Sequence, residues 1–199
     1  MIAIVDYGMG NIHSVTKAVG LKGAQTRVTD KPEDILAADK VILPGVGAFS
    51  DAMRGLESKG LGQAILESIK KGKFFLGICL GMQLLFRQSE ESKDARGLGV
   101  FSGTVRKFDK KGLKVPHIGW NQLHFKNCRL LEGIEQGSNV YFCHSYYVQP
   151  QAEDIIAAKT EYGITFASVI NKDNIFAVQF HPEKSQKTGL KILENFVGL

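Results

Sequence analysis

The fold is decided by residues 74–83, which read Phe-Phe-Leu-Gly-Ile-Cys-Leu-Gly-Met-Gln. An apolar run here meets Cys79 between Gly77 and Gly81, and the sequence then turns helical. This order predicts a buried strand that delivers the cysteine to an exposed, sharp strand-to-helix turn, where the glycines let neighbouring backbone pass close. The positive end of the helix favours a thiolate over a thiol, which makes the sulfur a nucleophile. The alternative is a small buried hydrophobe, a common role for a free cysteine.

A second motif supports the nucleophile interpretation. Residues 177–180 form a strand-like run that leads into His181-Pro182-Glu183. In an extended chain, residues i and i+2 point to the same side, so we expect the Glu183 carboxylate to hold the His181 ring in one tautomer. A cysteine, a histidine and a carboxylate supply a nucleophile, its proton acceptor and the group that orients the acceptor. Each residue also has a simpler interpretation when taken alone. His181 could be a strand-end residue whose hydrogen bonds are made locally, and Glu183 could be an exposed surface charge.

The remaining sequence alternates short apolar strands with helical stretches in its first half. We expect strands at 2–5, 26–29, 41–43 and 74–78, and helices at 12–21 and 48–71, the second broken at Gly60. The second half is mostly strand, at 100–108, 112–125, 139–148, 155–159, 166–170 and 175–180, before a closing helix at 188–197; the polar residues 88–96 predict a surface loop. The pattern predicts an α/β fold with a central, mostly parallel sheet flanked by helices, an added antiparallel strand region, and a single domain over 1–199.

Glycine-rich loops follow the predicted parallel strands at 8–10 and 44–47, and the Cys79 turn follows another. Chemistry in such sheets collects at the carboxyl ends of the strands, so we expect these loops to meet at one rim. A thiolate that adds to an amide carbonyl creates an oxyanion, which backbone N–H groups can stabilise. The N–H of Leu80, directly after the nucleophile, is one candidate donor, and the loop at 44–47 can supply another. The alternative for this loop is a plain tight turn.

The motifs resemble those of a known family. Cys79 within Gly-Ile-Cys-Leu-Gly-Met-Gln and the distant His181-Pro182-Glu183 are similar to the class I glutamine amidotransferases, which hydrolyse the side-chain amide of glutamine. Motifs along essentially the whole chain resemble the glutaminase subunits of imidazole glycerol phosphate synthase: Asp-Tyr-Gly-Met-Gly-Asn at 6–11, Pro-Gly-Val-Gly-Ala-Phe at 44–49, Pro-His-Ile-Gly-Trp-Asn at 116–121, Tyr-Phe-Cys-His-Ser-Tyr at 141–146 and His-Pro-Glu-Lys-Ser at 181–185. Several motifs in the correct order are a stronger signal than any one of them.

The resemblance implies a function. A triad of Cys79, His181 and Glu183 would release ammonia from glutamine, and the ammonia would pass to a cyclase (synthase) subunit. The two subunits would form a heterodimer that makes imidazole glycerol phosphate and AICAR in histidine biosynthesis. In the family, the loop at 44–47 turns a peptide over to complete the oxyanion hole, and the matching donor here is Val46.

The resemblance also implies binding residues. Contacts with glutamine are expected at Gly47, Gln83, Ser145 and Tyr146, whose backbone, amide and hydroxyl groups suit the amino and carboxylate ends of an amino acid. Contacts with the partner subunit are expected at Asn11, Trp120, Tyr141 and Lys184. Ile118 and Cys143 depart from the residues that are frequent in the family, but both keep size and apolarity.

Composition narrows the function classes. The 199 residues are 44% hydrophobic, which is enough apolar material for one core. A net charge of +5 without a recognition-helix pattern favours a solvated surface over nucleic-acid binding. The cysteines lack Cys-x-x-Cys spacing, so neither a disulfide framework nor a metal site is expected, and no phosphate-cradling or dinucleotide motif implies a cofactor. We find no leader-like or membrane-spanning apolar stretch and expect a cytoplasmic protein without membrane contact.

Other functions stay open at this point. A paralogous subunit could donate ammonia to another synthase, for instance in the amidation of a modified sugar. A catalytically silent binding protein or thiol sensor of the same fold would not need a complete triad, and a cysteine peptidase would need a peptide groove that the sequence does not indicate. The joint presence of Cys79, His181 and Glu183 favours an enzyme.

Overall fold

A mixed β-sheet with helices on both faces forms the centre of the protein in a computed structural model that describes residues 1–199. The strands are β1 (Ile2–Val5), β2 (Thr26–Thr29), β3 (Lys40–Leu43), β4 (Phe74–Ile78), β5 (Phe86–Ser89), β6 (Phe101–Lys107), β7 (His117–Gln122), β8 (His124–Phe125), β9 (Asn139–His144), β10 (Tyr146–Pro150), β11 (Ile156–Tyr162), β12 (Ile164–Lys172) and β13 (Ile175–Val178). The α-helices are α1 (Ile12–Gly20), α2 (Pro32–Ala37), α3 (Phe49–Ser58), α4 (Leu61–Lys70), α5 (Leu80–Gln83) and α6 (Gln186–Gly198).

The main sheet has eight strands in the order β2-β1-β3-β4-β13-β12-β11-β8. The pairs from β2 to β13 are parallel, and those from β13 to β8 are antiparallel. This arrangement confirms the predicted parallel sheet with an added antiparallel region. Smaller sheets, β10-β6-β5 and β7-β9, complete the second half. Because β4 and β13 are parallel and pair Ile78 with Val178, residues that follow the two strands reach the same edge.

Alternation along the parallel strands buries both faces of the sheet. In β4, Phe75 belongs to one hydrophobic cluster, whereas Leu76 and Ile78 belong to the cluster on the other face. The Phe75 cluster includes buried residues of α2, α3 and α4, and the Leu76 cluster includes those of α1 and α6. A strand that is covered on both sides reads as a continuous apolar run, which explains the pattern of residues 74–78.

Two glycines allow the turn after β4. A Cβ atom at Gly77 would lie 2.7 Å from the Gly81 carbonyl oxygen, and one at Gly81 would lie 1.9 Å from the Leu43 carbonyl oxygen. Both obstacles are backbone atoms, which cannot move aside as a flexible side chain would. The predicted reason for these glycines, close approach of backbone, is therefore confirmed.

A substitution of Gly81 should destabilise the whole fold. We expect Gly81→Ala to lower the free energy of unfolding by about 3 kcal/mol, the upper end of typical overpacking, because the methyl group meets backbone of β3. Gly20→Ala is the matched control, since a Cβ atom at Gly20 contacts nothing within 4 Å and should leave stability nearly unchanged. Urea unfolding measures both variants, and equal midpoints would contradict the close-packing argument.

Several boundaries differ from the sequence expectations. Residues 88–96 are not wholly a loop, because β5 includes Gln88 and Ser89 and pairs with β6. The helix α2 was not expected, and residues 112–116 are not strand. The helix after Cys79 is a single turn, so its dipole contributes less to thiolate stability than a long helix would. None of the helices combines the length and apolarity needed to span a bilayer.

Candidate active site

The loops that follow β1, β3 and β4 meet at one rim of the sheet, as expected. The Tyr7 hydroxyl donates a hydrogen bond of 2.9 Å to the Pro44 carbonyl, and a Cβ atom at Gly45 would lie 2.9 Å from Leu80 Cβ. A Cβ atom at Gly10 would lie 3.7 Å from Gly45 Cα, so the loop that carries Asn11 lies beside the loop at 44–47. These contacts hold the glycine-rich loop directly against the Cys79 turn.

Cys79 has a strained backbone. Its φ of 54° and ψ of −106° lie in a region that residues with a side chain rarely adopt, and it is the residue that immediately precedes α5. Such strain is typical of functional turns, where the surrounding structure enforces it. Cys79 is only 6% exposed, so it is less accessible than the sequence predicted. It lines the wall of a cavity.

His181 and Glu183 contact each other. The Nδ1–H group of His181 donates to Glu183 Oε1 over 2.9 Å, and both side chains are buried. The geometry that joins them differs from the prediction, because Pro182–Lys184 is a 3-10 helix and not extended chain. Pro182 occupies the first helical position, where its missing N–H group is not needed. The second carboxylate oxygen of Glu183 is buried without a hydrogen-bond partner.

His181 and Cys79 line the same cavity. Burial by itself would lower the pKa of His181, but hydrogen bonds and the opposite charges of Cys79 and Glu183 outweigh it and raise this pKa to about 10. The protonated form of His181, an imidazolium, is therefore favoured. The same thiolate charge, together with burial as the larger cause, raises the pKa of Tyr7 above its usual value.

A cavity of about 320 Å³ opens beside these groups. Nine of the predicted site residues line it, namely Val46, Gly47, Cys79, Leu80, Gln83, Ser145, Tyr146, His181 and Lys184. Four residues that the sequence did not single out for the site also line it: Glu91, Pro116, Cys143 and His144. No group of three or more His, Cys, Asp or Glu side chains is arranged to hold a metal ion.

Two residues near the cavity were missed by the sequence analysis. Glu91 brings a carboxylate to the cavity and accepts a hydrogen bond of 2.8 Å from the Phe49 N–H at the start of α3. Gln179 Nε2 lies 3.6 Å from Cys79 Sγ. The signal for Gln179 was present, because it is a polar residue two positions before His181 at the end of an apolar strand. Glu91 had no such signal, since the acidic loop around it is typical of a surface.

Trp120 and Tyr141, two of the residues predicted to contact a partner, lie outside the cavity on an exposed face that Lys184 adjoins. Trp120 on β7 pairs across the strands with Tyr141 on β9, with ring centroids 6.0 Å apart in a T-shaped arrangement. The Lys184 Nζ atom lies 5.9 Å from the centre of the Tyr141 ring. Trp120 is 47% exposed and its neighbour Ile118 is 59% exposed, which is unusual for side chains of this size. This face adjoins the cavity, because Cys143 pairs with Ile118 and lines the cavity wall.

A comparison with protein families assigns the chain to one of them. The family model described as glutamine amidotransferase class-I matches residues 3–198. The chain belongs to this family. Two relatives are named imidazole glycerol phosphate synthase subunit HisH. The one from Methanocaldococcus jannaschii is 54% identical over 100% of both chains, and the one from Moorella thermoacetica is 52% identical over 98% of this chain and 93% of its own.

Solved structures agree with this family membership at the level of the fold. A glutamine amidotransferase crystal structure has a TM-score of 0.78 at 17% identity and covers 100% of both chains. The structure of PurLQS from Thermotoga maritima has a TM-score of 0.76 at 18% identity over 99% of this chain and 97% of its own. The resemblance that the sequence motifs indicated, including that to the glutaminase subunits, is confirmed by the relatives.

Proposed function

We propose that this glutamine amidotransferase hydrolyses glutamine with Cys79, His181 and Glu183 and passes the ammonia to a cyclase subunit that makes imidazole glycerol phosphate in histidine biosynthesis. The observation that carries the proposal is the hydrogen bond of His181 to Glu183 beside a cavity that His181 and Cys79 both line, in a chain about half identical to HisH subunits over its length. The site needs no cofactor for this chemistry.

The triad accounts for each proton in the reaction. His181 takes the proton of Cys79, and its Nδ1–H bond to Glu183 Oε1 keeps Nε2 facing the sulfur. The thiolate adds to the amide carbonyl of glutamine, and His181 returns the proton to the departing nitrogen, which leaves as ammonia. Water then attacks the thioester with His181 as base, and glutamate departs as Cys79 regains its proton.

The proposed oxyanion hole at Val46 and Leu80 needs a rearrangement of the loop at 44–47. The Leu80 N–H donates to the Gly45 carbonyl at 3.4 Å and so is not free for a substrate oxygen. Rotation of the peptide between Gly45 and Val46 would remove this carbonyl and turn the Val46 N–H towards the same point. Two N–H donors would then stabilise the oxyanion, each worth about 3 kcal/mol of the barrier.

Polar groups of the cavity suit the two ends of glutamine. The Gln83 amide nitrogen donates to the Tyr146 carbonyl at 3.0 Å and to Gln179 Oε1 at 3.1 Å, so only its oxygen is left to accept from a substrate ammonium group. The Glu91 carboxylate is a second acceptor for that ammonium group. Gly47 and Ser145 can offer backbone and hydroxyl groups to the substrate carboxylate, with Tyr146 beside them.

The exposed aromatic face supports a protein partner. Trp120 and Tyr141 form an amphipathic pair of the kind that anchors interfaces, and Lys184 adds a charge at its edge. Asn11 lies in a loop that adjoins the loop at 44–47, so a partner that contacts Asn11 would also reach the oxyanion loop. A partner seated over the cavity mouth would keep ammonia from escaping to water.

Tracing the amide nitrogen tests this function. The chain would be mixed with a cyclase subunit, the phosphoribosyl acceptor and glutamine labelled with ¹⁵N at the side-chain amide. We expect the label in the imidazole ring of the product, even when unlabelled ammonium is present in the buffer, because the ammonia passes directly between the subunits. Label that appears only in free ammonium would argue against transfer, and absence of glutamate would argue against hydrolysis.

A further inference from the structure

Gln179 occupies a position that the proposed triad does not use. It directly follows β13, is 0% exposed, and its backbone N–H donates to the Ser168 carbonyl at 2.9 Å, which continues the strand pairing. Because β4 and β13 are parallel and in register, Gln179 lies beside Cys79 although the two are far apart in sequence. Its Nε2 atom lies 3.6 Å from Cys79 Sγ, within the distance expected for an N–H donor to sulfur.

The orientation of the Gln179 amide is fixed by its neighbours. A backbone carbonyl can only accept, so the contact of Gln83 Nε2 with the Tyr146 carbonyl forces the nitrogen of Gln83 to that side. The same nitrogen is 3.1 Å from the Gln179 amide, which must then present its oxygen. The Gln179 NH₂ group is left to face Cys79, so the sulfur receives a donor and not an acceptor.

The Tyr146 carbonyl is itself held in place by a buried histidine pair. His144 Nδ1–H donates to this carbonyl at 2.7 Å, and His117 Nδ1–H donates to His144 Nε2 at 3.0 Å. Burial lowers the pKa of His117 to about 4 and is the largest cause that lowers the pKa of His144 to about 3. Both rings are therefore neutral and carry one proton each. Asn121 Nδ2 supplies the donor for the remaining nitrogen of His117 at 3.3 Å.

We propose that Gln179 is a further catalytic residue, which donates a hydrogen bond to the Cys79 thiolate and holds the sulfur in line with His181. A thiolate has lone pairs and no proton, so it accepts this bond far better than the thiol does, and the donor favours the charged form. When the thiolate adds to glutamine its charge moves to the oxyanion, and the same amide then keeps the sulfur in place. The proposal deepens the proposed glutaminase function and rests on it.

The alternative is a purely structural role, in which Gln179 only satisfies the Gln83 amide. The two roles differ in their effect on the free sulfur. A structural residue would change the shape of the substrate cavity and so raise KM, whereas a donor to the thiolate would change the reactivity of Cys79 even when no substrate is bound.

Alkylation of Cys79 in the isolated chain measures that reactivity. We expect Gln179→Met, which keeps the length of the side chain but removes the donor, to slow iodoacetamide labelling of Cys79 about tenfold at pH 7, in line with loss of a hydrogen bond to a charged group. The midpoint of the rate against pH should move upward. In the complex, kcat for glutamine should fall about tenfold or more, with KM changed less than about threefold.

A second variant tests the same proposal if Gln179→Met disturbs the packing. Gln179→Glu retains an oxygen for Gln83 but places a carboxylate against the sulfur, so labelling at pH 7 should fall further than in Gln179→Met. The matched control is Ser168→Ala, which alters a buried hydroxyl that has no partner on the neighbouring strand and should change neither rate. Exposed Cys143 is an internal control when labelling is quantified by peptide mass spectrometry.

The titratable groups that face Cys79 or share its cavity are Tyr7, Glu91, Cys143, His144, Tyr146, His181 and Lys184, and none is altered in these variants. Unchanged Cys79 labelling with Gln179→Met and Gln179→Glu would overturn the proposal, and so would a rise in KM alone. If the wild-type complex releases no glutamate, the proposed function fails, but the labelling experiment still decides whether Gln179 acts on the sulfur.

Discussion

Replacement of Cys79 by serine should reduce glutamine hydrolysis by about a thousandfold or more. The substitution preserves size and leaves the strained turn intact, but a serine hydroxyl is much less acidic than a thiol and His181 cannot ionise it. Glutamate release by the complex with the cyclase subunit measures the loss. The same variant should still support product formation from added ammonium, because the nucleophile has no part in the chemistry of the partner.

Substitutions of the other members of the proposed triad should differ in how much glutamine hydrolysis they remove. His181→Asn removes the base and should be as damaging as Cys79→Ser, since residues of one catalytic unit fail together. Glu183→Gln removes only the orienting charge and should lose roughly a hundredfold less. Normal glutamate release by either Cys79→Ser or His181→Asn would rule out the mechanism, and loss of ammonium-dependent synthesis would point instead to a misfolded complex.

Local sequence patterns predicted most of the fold. The parallel strands β1, β3, β4 and β13 are short, mostly apolar runs, whereas the edge strand β2 is more polar. Because the strands are parallel, the loops that follow them meet at one rim of the sheet. The sequence pattern did not predict two elements whose secondary structure depends on tertiary contacts. The helix α2 is short and buries only Ile35. The strand β5 carries exposed polar residues and is a strand because it pairs with β6. Neither has a periodicity that a single sequence displays.

The candidate site was predictable where residues lie on one motif, and less so where it is assembled from distant parts. Cys79 and the His181–Glu183 pair belong to short motifs, although the 3-10 turn that joins the pair differs from the expected extended chain. The carboxylate of Glu91 reaches the cavity only because its loop folds back on α3. The contact of Gln179 with Cys79 depends on strand register, which the sequence does not contain.

The isolated chain should be a poor glutaminase, and a cyclase subunit with its acceptor bound should raise glutamate release by about a hundredfold. The reason is the Gly45 carbonyl, which accepts the Leu80 N–H and would keep the proposed oxyanion hole closed. If only about 1% of the molecules have the open loop, a partner that selects this state can raise the rate by at most about a hundredfold. Glutamate release is measured with the chain alone, with the partner, and with the partner and acceptor.

The exposed aromatic face offers a route for this coupling. The Tyr141 side chain faces outward with Trp120, while its backbone carbonyl accepts from the His181 N–H at 2.9 Å and its N–H donates to Ser185 Oγ at 2.9 Å. A partner that binds this face would therefore contact β9, the strand whose backbone hydrogen-bonds His181. We expect Trp120→Ala and Tyr141→Ala to weaken the rise or release ammonia to solvent, with Cys79 still open to alkylation.

A distant exposed residue provides the control for the Trp120 and Tyr141 variants. Leu21 at the end of α1 is also a large exposed apolar side chain, so Leu21→Ala controls for the loss of surface apolar area alone and should keep the full rise. Equal glutamate release by the isolated chain and by the loaded complex would contradict a closed oxyanion hole. One-to-one stoichiometry of glutamate and product in Trp120→Ala and Tyr141→Ala would remove these residues from the interface, because a partner docked elsewhere would lose nothing.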